Sequence, residues 1–335
     1  MIYQNPQSLK TSGARHKTES LCLGARDFAI LWDVYVANPI TAEQISALHF
    51  EPTAVNAVSA IKNCQRRLRQ YVQAGYVQRQ RYRTPGKAGR YQYLYTLTEQ
   101  GAATVYAYLG VEPGLAEGKP KHDPKGLGIA PHNLIATAVR IAVKRACAAD
   151  LRTELDLWLY DRELRIEGMT DVVYSPKATG KPKLIPLIPD AVFVLRQQQR
   201  TCLCFVEIDT GSTTVEANAL EKRSWVTKTM GYANFLQSEQ YRQRYSRYFA
   251  HLPAASIPPA RVLVVTTSER RLQNLVETTQ RTLVALGAEQ FCSWLWFTTT
   301  AWATDAQRVL AAPIWYTAAF GDPLPLLPQA SGAFP

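Results

Sequence analysis

Long hydrophobic runs are missing from this chain of 335 residues. None approaches the roughly 20 apolar residues that a membrane-crossing helix needs. The opening MIYQNPQSLKTSGARHKTES also lacks the apolar segment of a secretory signal, and 1–24 reads as a flexible leader. The six cysteines contain no CxxC pair, so no zinc or redox motif announces itself. Cys202 and Cys204 alternate along a strand-like run and read as core residues. Reduced thiols and a cytoplasmic location follow from the missing export signal. No internal repeat is visible. The most informative absence is acidic: between Glu51 and Glu99 there is no Asp or Glu at all.

That interval holds Lys62, Arg66, Arg67, Arg69, Arg79, Arg81, Arg83, Lys87 and Arg90, nine cations against a net charge of +11 for the whole chain. Basicity gathered in one small region points to double-stranded DNA rather than a membrane surface as partner. The local pattern agrees. Phe28, Leu31, Trp32 and Tyr35 have helical spacing, and Asn38-Pro39 ends that run. Thr41 and Gln44 form a capping-box pair before a short helix. After Glu51-Pro52 a long helix is expected over 53–74, with Val55, Val58, Ile61, Leu68 and Val72 on its apolar side. Strand-like runs at 76–83 and 90–97 flank a Pro-Gly-Lys-Ala-Gly turn, and TEQGAATVYAYLG closes as a helix. Helix, short helix, long helix and basic hairpin is the order of a winged helix-turn-helix over 25–110. Its cations would mostly meet phosphates. Thr53, Asn56 and Lys62 are the candidates for touching bases. A winged helix used only for protein contacts is the alternative.

Residues 111–131, rich in Gly, Pro and Lys, read as a linker. Beyond it, 132–300 reads as an α/β domain and 301–335 as a C-terminal extension. A helix opens at His132. LRTELDLWLY and DRELRI follow as strand candidates, with an irregular segment at 175–183. IPDAVFVL and TCLCFVEID are strands, the second apolar on both faces and so central. A helix over 215–237, the strand ARVLVVTTS, a Ser-capped helix and the strand CSWLWFTTT complete a mixed sheet with helices on its faces. Tyr241 and Tyr245 in EQYRQRYSRY suggest an exposed surface helix, whose Arg242, Arg244 and Arg247 would form a second phosphate-contacting patch.

The acids of this domain concentrate where two strands would meet. Strand alternation puts Leu203, Phe205, Glu207 and Asp209 on one face, with the two carboxylates about 6–7 Å apart at Cα. Asp190, just after Pro189, starts the neighbouring strand. If the strands pair, Asp190, Glu207 and Asp209 form a hard-oxygen set suited to Mg2+ or Mn2+. The bland alternative is a strand-end pair capping a helix that starts near 213–216.

This arrangement resembles the PD-(D/E)xK nuclease fold, with its α-β-β-β-α-β core. Pro189-Asp190 and Glu207 match that family's acids, whereas Asp209 stands in the lysine position. Some members of that fold carry the lysine on the following helix. Here Lys228, four residues before Tyr232, is the candidate, with Lys222 as the alternative. The layout from about Arg26 to Phe297 also resembles the replication-relaxation family of plasmids and integrative elements. The likeness rests on AGYVQRQ and a wing, YTLTEQGA, His132-Asn-Leu, PDAVFVL, and FVEIDTGS followed by Lys228-x-x-x-Tyr232. In that family Glu-x-Asp is the usual form. The resemblance implies a winged helix joined to a nuclease-like domain, with Asp190, Glu207, Asp209 and Lys228 as the catalytic set. His132 and Tyr232 are further candidates. One departure stands out: the helix LIATAVRIAVKRA carries no acid, although nuclease-fold enzymes often supply one there. Two functions follow. One is a divalent-metal-dependent nickase or endonuclease acting in replication, relaxation or mobilisation. The other is a non-catalytic regulator whose nuclease fold serves homodimerisation or recruits other mobile-element proteins.

Overall fold

The structure is a computed structural model that describes residues 21–83, 91–110, 130–166, 171–175, 183–198, 200–212, 214–215, 224–238, 240–246 and 260–327. Lys87, Arg90, Lys222 and Arg247 lie outside the described residues, as do most of the expected leader and linker. The chain separates into two compact units, Met1–Ala130 and Pro131–Pro335. No helix among the described residues is long and apolar enough to cross a membrane.

The first unit runs α1 (Ala25–Ala37), β1 (Ile40–Thr41), α2 (Ala42–His49), a 3-10 turn (Glu51–Thr53), α3 (Ala57–Gln73), β2 (Val77–Arg83), β3 (Tyr91–Leu97) and α4 (Glu99–Leu109). The strands form an antiparallel sheet in the order β1-β3-β2. Thr41 and Gln44 make the expected reciprocal cap. The long helix starts later than 53. Proline at 52 favours the tight 3-10 turn, and Asn56 becomes the cap of α3, its Oδ1 accepting the Ser59 N–H at 2.8 Å. The apolar face is also rotated from the expected one. Val55 is 97% exposed and Val58 61%, while Ala60, Cys64, Leu68 and Tyr71 are buried. Those four follow the helical period. Val55 precedes the helix, so a face counted from it takes the wrong phase.

The second unit begins with α5 (Ala130–Ala149), β4 (Thr153–Tyr160), α6 (Asp161–Ile166), β5 (Asp171–Ser175), β6 (Lys183–Leu187), β7 (Ala191–Gln197) and β8 (Arg200–Asp209). It continues with α7 (Trp225–Gln237), α8 (Gln240–Tyr245), β9 (Ala260–Thr266), α9 (Glu269–Ala285), β10 (Leu295–Thr299), α10 (Thr300–Ala303) and β11 (Tyr316–Thr317). A six-stranded mixed sheet has the order β11-β10-β9-β8-β7-β4. β4, β7 and β8 pair antiparallel, and β8, β9 and β10 pair parallel. The result is an α/β fold of PD-(D/E)xK-like architecture.

β8 is central and buries both faces. On one, Val192, Leu203, Phe205 and Val264 pack with Trp225 and Phe235 of α7 and with Leu275 of α9. On the other, Phe193, Val206, Leu263 and Val265 meet Val139 and Val143 of α5, together with Val309, Trp315 and Leu326. The last three belong to the stretch read as an extension. They complete a core layer.

Three sequence expectations fail here. DRELRI is helix α6, not a strand: Glu163 turns back to accept the Tyr160 N–H at 2.9 Å, and Arg165 pairs with Asp161 one turn away. The helix after β8 begins at Trp225, capped by Ser224, rather than at 215. No helix N-terminus therefore stands at 214–215 for the acids to cap. Tyr241 and Tyr245 are fully buried, Tyr241 against Phe235 and Tyr245 against Phe205. Aromatic burial outweighs the polar spacing of that short helix.

Candidate functional site

β7 and β8 pair with Ala191 opposite Val206, and the Asp190 N–H continues the ladder to the Val206 carbonyl at 2.9 Å. Extending the register by one residue sets Asp190 across from Glu207, and cross-strand partners share a face. Glu207 is buried, 1% exposed, above the Phe205 layer of the core. α7 runs over that face and delivers two donors one turn apart. Lys228 Nζ donates to Glu207 Oε2, and the Tyr232 hydroxyl donates to Oε1 at 2.6 Å. From the start of α5, His132 Nε2 meets Asp190 Oδ1 at 2.8 Å, and the Ile208 N–H donates to Oδ2 at 2.7 Å. The structure thus brings together Asp190, Glu207, Lys228, Tyr232 and His132, supplied by α5, β8, α7 and the residue just before β7.

Electrostatics within the cluster are divided. Burial pushes the Glu207 carboxyl up to about 7; the Asp190 charge adds to this, against the opposing pull of Lys228 and Tyr232. Burial acts the same way on Asp190, but the His132 hydrogen bond and the charges of Lys228 and His132 outweigh it and hold that carboxyl below its usual range. Lys228 is raised despite its desolvation, because Glu207 and Asp190 favour the ammonium. His132 is likewise raised, its bond to Asp190 exceeding the cost of burial. Two neighbouring carboxylates with separated proton affinities are a common feature of acid–base sites.

Asp209 is treated differently. It shares the face of Glu207, but Arg271 of α9 grips both its oxygens at 2.8 and 2.9 Å, and the Thr266 hydroxyl donates at 3.0 Å. Its charge still acts on Lys228. Among the described residues, no group of three or more His, Cys, Asp and Glu side chains is arranged to hold a metal ion. By donor type the carboxylates of Asp190 and Glu207 suit a hard divalent cation. Asp209 fits that role less well: the Arg271 guanidinium grips both its oxygens and Thr266 adds a third bond, whereas Asp190 and Glu207 would each have to release one monodentate side chain, His132 or Lys228, to take the ion. Arg271 is a residue the sequence did not reveal; nothing in the local pattern of α9 points to a carboxylate 62 residues earlier. Asp161 is another. Its N–H bonds the Asp190 carbonyl at 3.1 Å, and burial with the Asp190 charge raises its carboxyl.

In the first unit, Lys62, Arg66 and Arg69 lie exposed on α3, and Arg79, Arg81 and Arg83 lie exposed on β2. Arg67 does not join them. Its Nε and Nη2 clamp Asp27 of α1 at 2.8 and 2.7 Å, and the Tyr71 hydroxyl donates to the same carboxylate. Thr53 spends its hydroxyl on the Phe50 carbonyl, and Asn56 spends its side chain on the α3 cap.

Residues 31–252 match the model of the replication-relaxation family. No curated protein matches the chain. Two solved structures are similar: the restriction endonuclease FokI bound to DNA (11% identity, TM-score 0.25) and the restriction endonuclease FokI (9% identity, TM-score 0.26). Each comparison covers 83% of this chain but only 43% and 42% of those chains, so the protein spans under half their length. At such scores the likeness is too slight to transfer a role. The family match, running from within α1 to beyond α8 over roughly two thirds of the residues, is of another order: the chain belongs to the replication-relaxation family.

Proposed function

We propose that this protein binds DNA through its first unit, a winged helix-turn-helix, and acts on a phosphodiester at Asp190, Glu207 and Lys228 of its second. The observation that carries the reading is Lys228. A helix-borne ammonium seated on Glu207, across from Asp190, offers the cation that the Glu-x-Asp strand lacks. Family membership and the exposed cations of α3 and β2 support the DNA partner. That partner agrees with a cytoplasmic setting.

Asp190 and Glu207 would hold a divalent ion, which when bound supplies Lewis acidity and a water acidic enough to attack near neutral pH. The chain's own groups do the rest. Lys228 balances negative charge that builds on the phosphate during displacement. Tyr232, wholly buried, cannot reach DNA and serves to fix the Glu207 carboxylate. His132 and the Ile208 N–H fix Asp190 from two sides.

A second reading rests on a different observation. Both oxygens of Asp190, of Glu207 and of Asp209 already accept hydrogen bonds from protein donors. A cluster satisfied in this way supports a retired nuclease fold serving as a platform for a partner. Incubating supercoiled plasmid with the protein in Mn2+, Mg2+ or EDTA separates the two. The catalytic reading expects metal-dependent open circles that disappear with Glu207→Ala. Plasmid that stays supercoiled in every metal, yet shifts on a gel, supports the platform.

A further inference from the structure

The β2–β3 hairpin carries a feature that phosphate contacts leave unexplained. Its register sets Arg79 opposite Tyr95, Arg81 opposite Tyr93 and Arg83 opposite Tyr91. Opposed residues of an antiparallel pair share a face, so one face of the hairpin is a file of arginines beside a file of tyrosines. Only Tyr95 at the base is buried. Tyr93 and Tyr91 keep 45% and 52% of their surface in solvent. The guanidinium groups lie diagonally over these rings, Arg79 over Tyr93 at 4.7 Å and Arg81 over Tyr91 at 3.9 Å.

The geometry points to this face as a stacking platform for the unpaired bases of a single DNA strand, an inference that rests on the DNA-binding reading above. A duplex flank offers phosphates to arginines but hides its base faces from an aromatic ring. A single strand offers both, and binding sites for it combine cations along the backbone with rings under the bases. The spacing agrees. Successive rungs are two residues apart, about 6.8 Å along the strand, which is twice the roughly 3.4 Å per nucleotide of a duplex strand. One nucleotide per rung therefore requires a strand free to stretch about twofold, as only unpaired DNA can. The guanidinium over each ring sets a cation beside any base that stacks on the ring's remaining exposed surface. The chain between Glu51 and Glu99 holds no acid to repel the backbone.

The test uses the full chain and a labelled oligonucleotide of mixed sequence, presented as a single strand and as a blunt duplex, with binding read by anisotropy. Replacing both rings by Tyr91→Ala and Tyr93→Ala should weaken single-strand binding by about 30-fold or more, the loss of two stacked bases, and duplex binding by less than about twofold. Tyr91→Phe with Tyr93→Phe should retain both. If the alanine pair lowers the melting temperature, Tyr91→Leu with Tyr93→Leu keeps bulk without the aromatic plane and must give the same split. Equal losses on the two forms, or undiminished single-strand binding, would overturn the inference. Wild-type protein that binds only duplex overturns it while leaving the DNA reading intact; protein that binds neither form overturns both.

Discussion

Glu207, the acid at the centre of the proposed site, also carries a cost to stability. Its folded-state carboxyl is raised to about 7 by burial and by the Asp190 charge, above the ordinary carboxylate value. The folded state therefore holds a proton that the unfolded chain has already released, and stability falls as pH climbs from the unfolded value through about 7. Glu207→Gln removes that linkage. The stability difference between the variant and wild type should move in the variant's favour from pH 5.5 to 8.5, by about 2 kcal/mol, in parallel urea melts. A difference that does not change with pH would show that Glu207 is ionised throughout. Arg67 gives a second test at this scale. Because it clamps Asp27, Arg67→Ala should cost about 1–3 kcal/mol of stability. Arg66→Ala, on the exposed side of α3, should leave stability within about 0.5 kcal/mol and reduce the salt slope of DNA binding by about one. Both arginines sit in the same acid-free interval. The sequence could not separate them, because Asp27 lies 40 positions away and becomes a neighbour only when the first unit folds.

Most elements that short-range chemistry decides were legible. The Thr41–Gln44 cap, the strands around Asp190 and Glu207, and the Ser268 cap of α9 all follow from neighbours within three or four residues. Lys228 and Tyr232 were legible as a pair because helical spacing puts them on one face. Misreadings had two sources: competing local signals, as in the Glu163 contact that folds α6 in place of a strand and the Asn56 cap that delays α3, and tertiary packing, as in the burial of Tyr241 and Tyr245. The YTLTEQGA stretch now has a physical basis. Thr98 Oγ1 accepts the Gly101 N–H at 3.0 Å and donates to the Gly75 carbonyl at 2.5 Å, tying α4 to the base of the hairpin. A Cβ at Gly101 would stand 2.0 Å from the Tyr76 carbonyl oxygen, a backbone atom that cannot yield cheaply. Gly101→Ala should destabilise the first unit by about 2–3 kcal/mol and lower duplex affinity with it, as read by thermal melts and gel shifts. A variant as stable as wild type would mean that the hairpin and α4 are not held this closely.

At the scale of the molecule, a net charge of +11 drawn largely from one unit should make DNA affinity fall steeply with salt. Lys62, Arg66, Arg69, Arg79, Arg81 and Arg83 are the exposed cations of α3 and β2. Were all of them to meet phosphates, the slope of log K against log salt would approach about −5. A flat response would contradict the DNA reading. The central claim, however, concerns the second unit: Lys228, brought by α7 to Glu207, does the work of the lysine that the strand lacks. The most direct test is the plasmid-nicking rate of Lys228→Ala in Mn2+, measured beside its DNA affinity. The account predicts nicking slowed by about 100-fold or more with affinity essentially unchanged. Nicking at the wild-type rate in that variant would contradict it.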